Sequence, residues 1–441
     1  MSTVRETSVS RAIWSIGWPV MVAMVLESAM TVVDLFWVGR LGTVEVAAVT
    51  LGGNLAWVIL SFAQLAAAGV LALVARAIGA KRPDAATRTT VSGVRLAVVV
   101  GTAFSLLGVL IPNVLIKVFG APGEVKPATE LYFMVMAVAL PFLFAQVALR
   151  CAFQGAGDTK TPMRVLVAAN LINLLADPCL IFGLGPIPAM GVAGAAIATA
   201  FSQCLGFVLL WRAARRTDAA ISIRGHGSTE LWPRMLRIGT PATAGWIARP
   251  LSAILLLGIV ASFGTVAVAA FGIGMRIVGL VFIFYLGVAA AVSTLVGQSL
   301  GATEPDRARR VVRQAILISL GVEVVLSAII LFAAPWAIAI FRDDPQVVAT
   351  GARYLRIIAL GLMAMPHMSA YSAAFAGAGD TRPPMAAAII ANWAVKLPAA
   401  FALSRLIATD GVWWGITASI AAEAMVNAMW FSRGRWKKVR P

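Results

Sequence analysis

Phe153-Gln154-Gly155-Ala156-Gly157-Asp158-Thr159 returns as Phe375-Ala376-Gly377-Ala378-Gly379-Asp380-Thr381, a displacement of 375 − 153 = 222 positions in a chain of 441. Two further pairs keep that offset. Gly79-Ala80 with Pro83-Asp84 matches Gly301-Ala302 with Pro305-Asp306, and Gly42-Thr43-Val44 matches Gly264-Thr265-Val266. Three agreements at one spacing identify an internal duplication, so the fold must be built from two equivalent halves. With 60% of its residues hydrophobic and 12% charged, the chain is too apolar for water and belongs in a bilayer. A long, apolar, duplicated chain points to a secondary transporter with its substrate path between the halves.

A spanning helix needs roughly 20 apolar residues. Twelve such runs are predicted, at 12–38, 46–74, 94–116, 131–149, 163–184, 190–211, 236–261, 267–299, 312–335, 354–376, 384–407 and 411–431. The alternating pattern of a β-barrel is absent. The predicted fold is therefore an all-α integral membrane protein, with twelve transmembrane helices in two parallel six-helix repeats. An even number of spans starts both copies on the same side, so a pseudo-twofold axis along the membrane normal relates them. The expected divisions are an N-terminal lobe over 1–216, a cytoplasmic linker over 217–235, and a C-terminal lobe with a basic tail over 236–441.

The formal charge of +17 does not call for nucleic acid, because the basic residues sort by side. Arg5 and Arg11, the loop residues Arg76, Lys81, Arg82, Arg88 and Arg95, the run from Arg212 to Arg237, and the tail from Arg433 to Arg440 share one side. The opposite loops hold few. By the positive-inside rule both termini are cytoplasmic, in a plasma (bacterial inner) membrane. Arg5 and Arg11 precede an apolar run with no cleavage pattern, so the first span is read as an uncleaved anchor. A monomer is expected.

Cys151, Cys179 and Cys204 have neither metal nor disulfide spacing. No Walker loop, His-Glu-x-x-His or Gly-x-Ser-x-Gly is present, so direct use of ATP, enzymatic activity and a cofactor are not expected. Gly-Ala-Gly-Asp-Thr is read as a turn whose Asp and Thr cap the following helix.

Charged groups at bilayer depth cost several kcal/mol unless they face protein or water, about 2.5–3.5 kcal/mol at the least, and so mark function. The acids are Glu27, Asp34, Asp177, Glu323 and Glu423, and the bases Arg249, Arg276 and Lys396. Glu27 and Asp34 lie two helical turns apart on one face, about 10 Å along the axis. Asn170, Asn173 and Asp177 form one polar stripe on span five, and Thr199, Ser202 and Gln203 a shorter one on span six. Immersion costs a carboxylate its hydration and favours its neutral form, which suits a site for H+ or Na+. The alternative is an inter-helix hydrogen-bond network with no transport role.

The duplication separates these readings. Adding 222 maps Asp34 to Leu256, Asn173 to Val395 and Asp177 to Ala399, and only Asn170 is kept, as Asn392. A pocket needed merely for packing would be kept in both halves, so the first-lobe acids are read as an ion-coupling site, with Na+ possible at Asp34, Asn173 and Asp177. Glu27 maps onto Arg249, and the two are expected to meet across the cleft as a gate. Lys396 is read as a counterion in the second lobe or as a side chain that snorkels to an interface. Glu323 and Glu423 receive no role.

Val33-Asp34-Leu35-Phe36-Trp37-Val38-Gly39-Arg40-Leu41-Gly42 resembles the first helix of the multidrug and toxic compound extrusion (MATE) family. Gln154 to Thr159, Val296-Gly297-Gln298-Ser299-Leu300-Gly301-Ala302 and Gly377 to Thr381 are similar to further motifs of that family, and the likeness runs from Pro19 to span twelve. The resemblance implies twelve helices in two lobes that export small amphipathic, often cationic organic compounds in exchange for inward H+ or Na+. Asp34 and the Asn173-x-x-x-Asp177-Pro178 pattern are similar to the DinF-like branch, whose coupling acids lie in the N-terminal lobe. There the resemblance implicates Asp34, Asn173, Asp177 and Thr199. Where another branch places acids on helices seven and ten, this chain has Arg249 and His367. The alternative function is a flippase for a lipid-linked oligosaccharide, which Arg249, Arg276 and Lys396 favour because that cargo is anionic. A passive channel or a receptor lacks a supporting motif.

Overall fold

Inside hydrocarbon no water is available to the peptide groups, so each apolar run closes its own hydrogen bonds as a helix. The computed structural model describes residues 8–118, 123–186, 188–216 and 221–439. Arg5, Arg440 and linker residues 217–220 lie outside the described residues. The helices are α1 (Val9–Val38), α2 (Thr43–Ser61), α3 (Gln64–Gly79), α4 (Pro83–Leu110), α5 (Pro112–Val118), α6 (Lys126–Ala156), α7 (Lys160–Phe182) and α8 (Gly191–Ala214). There follow α9 (Trp232–Ala261), α10 (Thr265–Gly301), α11 (Pro305–Ala339), α12 (Pro345–Leu362), α13 (Met365–Ala378), α14 (Arg382–Ile389), a π-helical segment (Ile390–Lys396) and α15 (Leu397–Ser432).

The 222-residue offset is visible in the backbone. Helices start at Thr43 and Thr265, at Pro83 and Pro305, and at Lys160 and Arg382, and helices end at Ala156 and Ala378. Gly157 (φ 88°) and Gly379 (φ 80°) both take the left-handed conformation that terminates a helix and that glycine adopts without steric cost. Lys81 (φ 58°) and Thr303 (φ 59°) share a rarer left-handed turn. The Gly-Ala-Gly-Asp-Thr turn caps as expected through its acid. Asp158 accepts the backbone N–H of Thr161 at 3.0 Å and its hydroxyl at 2.6 Å. In the second copy burial raises the Asp380 carboxyl above its ordinary range, opposed by the backbone N–H and the charge of Arg382.

The copies differ in where they break. Span two is interrupted at Phe62-Ala63 between α2 and α3, while its counterpart α10 runs unbroken. Span ten bends by 51° between α12 and α13, while its counterpart α6 continues through Pro141. In the second copy Pro366 instead falls at the start of α13, where its missing N–H costs nothing. The long α15 is a hairpin: Ile407 (φ −130°, ψ 27°) and Ala408 (φ 52°, ψ −135°) leave the helical region and the chain reverses. Ten described helices are long and apolar enough to cross a bilayer, and the bent pair supplies an eleventh. The reversal at Ala408 divides the last of them, which brings the described crossings to the expected twelve.

Two compact units emerge, one of residues 19–243 and the other of residues 1–18 with 244–441. The first has a core around Phe133, Leu140, Phe144, Leu149 and Phe153. The second centres on Tyr285, Tyr354, Leu355 and Trp413. Pro19 lies inside α1. The described part of the linker is held down on α4: the N–H of Ser228 donates to the Ser92 hydroxyl at 2.8 Å, and Trp232 Nε1 to the Ser92 carbonyl at 3.1 Å. Ile221 and Ile223 are buried there.

Close helix contact in the hairpin depends on glycine. A Cβ at Gly415 would stand 2.6 Å from Ala400 N, whereas one at Gly258 would meet nothing within 4 Å. Gly415→Val should therefore lower stability by about 1–3 kcal/mol through overpacking. Gly258→Ala should be neutral or raise stability by up to about 1 kcal/mol. Thermal unfolding in detergent measures both.

Candidate ion-coupling site

Asn173 and Asp177 are four residues apart on α7, which puts them on one face. Asn173 Nδ2 donates to Asp177 Oδ1 at 3.1 Å, and the two residues are only 4% and 1% exposed. Asp34, from α1, is half-buried, and its carboxyl group lies near that of Asp177. Asp34 Oδ1 and Asp177 Oδ2 are both buried without a donor. Two carboxylates facing each other in such surroundings cannot both keep their charge uncompensated. A shared proton, or a cation such as Na+ held by carboxylate and amide oxygens, would supply what those atoms lack. The donor set is oxygen-only, and among the described residues no cluster of three His, Cys, Asp or Glu offers a site for a transition metal.

Tyr132 of α6 completes the pocket. It is buried, and the charges of both Asp34 and Asp177 act on it. Its ring fits because Gly52 of α2 has no side chain: a Cβ there would lie 2.7 Å from Tyr132 Cδ1. Adding 222 to both positions gives Gly274 and Tyr354, where the Cβ would lie 2.2 Å from the ring. The Gly–Tyr contact is thus part of the duplicated architecture. The surroundings of the second tyrosine are dry: Tyr354 packs edge-on against Phe271 and Trp413, at 5.8 and 4.9 Å. Leu256, at the position equivalent to Asp34, belongs to the same apolar cluster. One copy has filled the pocket with hydrocarbon and the other with carboxyl groups.

The other candidates are not gathered there. Thr199 Oγ1 donates to the Ala195 carbonyl of its own helix at 3.0 Å rather than to either acid. Asn170 is half-buried, with Nδ2 buried and unpartnered. Gln203 and Glu27 are half-buried, and among the described residues no hydrogen bond or ion pair reaches either side chain. Arg249 is engaged by Glu423 within its own unit through a charged hydrogen bond. Lys396 Nζ is buried and donates to Asn392 Oδ1 at 2.6 Å, so it does not snorkel. Glu323 is fully buried and accepts from Tyr285 Oη at 2.5 Å and from Ser327 Oγ at 2.8 Å.

Sequence reasoning missed Tyr132 and the partner of Glu423, because both contacts join helices far apart in the chain. The offset of 222 does pair Gly52 and Tyr132 with Gly274 and Tyr354, and a search for retained glycine and aromatic positions finds them.

Gly52→Ala and Gly274→Ala should both displace a buried tyrosine and cost about 1–3 kcal/mol. Their effects on transport should differ. Gly52→Ala should alter the dependence of transport on pH or sodium, and Gly274→Ala should leave it unchanged; transport assays across a pH and sodium series read the difference.

The MatE family profile matches residues 19–179 and 241–402, two stretches whose starts are again 222 apart (241 − 19). "Probable multidrug resistance protein NorM" of Thermotoga maritima is 28% identical over 426 residues, covering 95% of this chain and 91% of that protein. "FAD transporter" of Shewanella oneidensis is 28% identical over 360 residues, covering 79% of this chain and 78% of that protein. Among solved structures, one described as MATE in the bent conformation superposes with a TM-score of 0.91 at 24% identity, over 99% of this chain and 98% of that one. A MOP superfamily transporter from Pyrococcus furiosus, described as having reverse polarity of its binding pocket, gives 0.90 at 24% identity, over 100% and 99%. With the profile covering more than half of the chain and falling on both repeats, the chain belongs to the multidrug and toxic compound extrusion family, which comprises membrane transporters rather than enzymes.

Proposed function

We infer that this protein is a secondary active exporter of small amphipathic, often cationic organic compounds, driven by inward movement of H+ or Na+. The observation that carries the reading is the pair Asp34 and Asp177, each with a carboxyl oxygen buried without a donor in the first unit, where the second unit holds an apolar cluster. Relatives named for multidrug resistance support the substrate class. Entry of the ion between the carboxyl groups would relax their repulsion and change how α1 packs on α7, releasing substrate outward. Linkage then requires substrate to weaken ion binding by the same factor by which the ion weakens substrate binding. The protein would act as a monomer in the bacterial inner membrane, with both termini cytoplasmic, as the basic loops favour.

A second reading, translocation of a lipid-linked oligosaccharide or another anionic cargo, is favoured by the buried Lys396 and the half-exposed Arg249 of the second unit.

In proteoliposomes loaded with a fluorescent organic cation, pH and sodium gradients imposed separately should identify the driving ion. Asp34→Asn and Asp177→Asn should each cut the gradient-driven accumulation ratio by about tenfold or more, within the range of allosteric coupling energies. Undiminished uphill transport by Asp34→Asn would refute the coupling role, and rescue of an envelope defect without drug export would favour the second reading.

A further inference from the structure

The charged cluster of the second unit is not balanced. Arg249 on α9, Lys396 at the end of the π-helical segment and Glu423 on α15 lie close together, with both Glu423 and Arg249 acting electrostatically on Lys396. They provide two cations and one anion. Glu423 is committed to Arg249, while among the described residues Lys396 donates to a neutral amide, Asn392 Oδ1, and to no carboxylate. Asn392 is held in turn by its own donation to the Ala388 carbonyl at 2.8 Å, and Ser252 Oγ approaches its Oδ1 at 3.4 Å. Donors are in excess. A guanidinium has five N–H groups and an ammonium three. Arg249 uses its own on Glu423 and, weakly, on the Gly245 carbonyl at 3.4 Å, and Lys396 uses one.

Neither packing nor architecture explains the surplus. At the position equivalent to Arg249 the first copy holds Glu27, so the fold forms without a cation there. A purely structural network in hydrocarbon would be neutral, because an uncompensated charge there is costly. The cluster is not sealed over by protein: the Arg249 side chain is 38% exposed while that of Glu423 is 4%. The backbone is adapted too, since the first copy is regular α-helix where the second has the widened π turn that presents Asn392 and Lys396. Such turns concentrate at functional sites.

We propose that Arg249, Lys396 and Asn392 form a receptor for a carboxylate on the transported compound, so that the protein selects amphiphiles carrying an anionic group beside their cationic or aromatic body. The incoming carboxylate takes the spare donors of Arg249 and Lys396, and Glu423 keeps the empty site from being too positive. This deepens the exporter reading above and rests on it.

The test uses tetramethylrhodamine as the free carboxylate and as its methyl ester, two dyes with the same aromatic cation, in proteoliposomes of the full-length protein. Wild type should transport the carboxylate with the lower KM. Lys396→Met, close in volume and uncharged, should raise that KM by roughly tenfold, the loss expected for one charge-assisted hydrogen bond, and leave the ester unchanged. Lys396→Arg should retain the preference. Glu423→Gln should move the ratio the other way, towards the carboxylate, which a merely structural role would not do. Equal loss for both dyes in Lys396→Met, or no preference in wild type, overturns the proposal while leaving the exporter intact. Transport of neither dye by wild type overturns the exporter reading and the receptor with it.

Discussion

Every polar group in this molecule that lies at bilayer depth must be answered by another polar group of the protein, because the solvent there offers none. That constraint makes the backbone of the spans helical. It also makes the few exceptions in the side chains informative. Most hydroxyl groups in the spans are answered by a carbonyl one turn back in their own helix, as Thr199 is by Ala195. Among the described residues, the charged groups that such local bonding leaves over include the Asp34–Asp177 carboxyl pair, the Glu323–Tyr285 bond, and the Arg249, Lys396 and Glu423 group.

Duplication supplies an internal control for judging these groups. Features at equivalent positions in both copies belong to the architecture, among them the left-handed glycines after α6 and α13 and the Gly–Tyr contacts at Gly52 and Gly274. Features in one copy alone are additions to it. By that standard the carboxyl pair around Tyr132 and the basic group around Lys396 are both additions, one acidic and one basic, each confined to its own unit. A transporter coupled to a cation and selective for an anionic group would need both polarities, kept apart so that they do not cancel.

Much of the architecture was legible before any coordinates. The Asp158 cap and the twelve crossings followed from glycine punctuation, run length and the repeat, whereas the helices that begin at Pro83 and Pro305 start well before the predicted spans. The sites of interruption were not legible. Span two breaks at Phe62 and span ten at Met363, yet the proline-containing α6 does not break, because neighbouring helices decide whether a freed carbonyl finds another partner. The acids of the candidate site were legible as a set, since Asn173 and Asp177 share a face by spacing alone. Their companion Tyr132 was not, because it arrives from another helix.

The order of residues by itself determined that this chain is a duplicated helical membrane bundle and that its first half carries acids its second half lacks. Both follow from quantities that are local along the chain: hydropathy summed over one helix length, and identity at one fixed offset. Tertiary structure alone decided which charges meet. It brought Asp34 to Asp177, gave Arg249 to Glu423, and turned Lys396 inward onto Asn392. The reason is geometric: a side chain acts over a few ångströms, and the helices that bring two such groups together are set by packing of large apolar faces, to which the charged residues themselves contribute little.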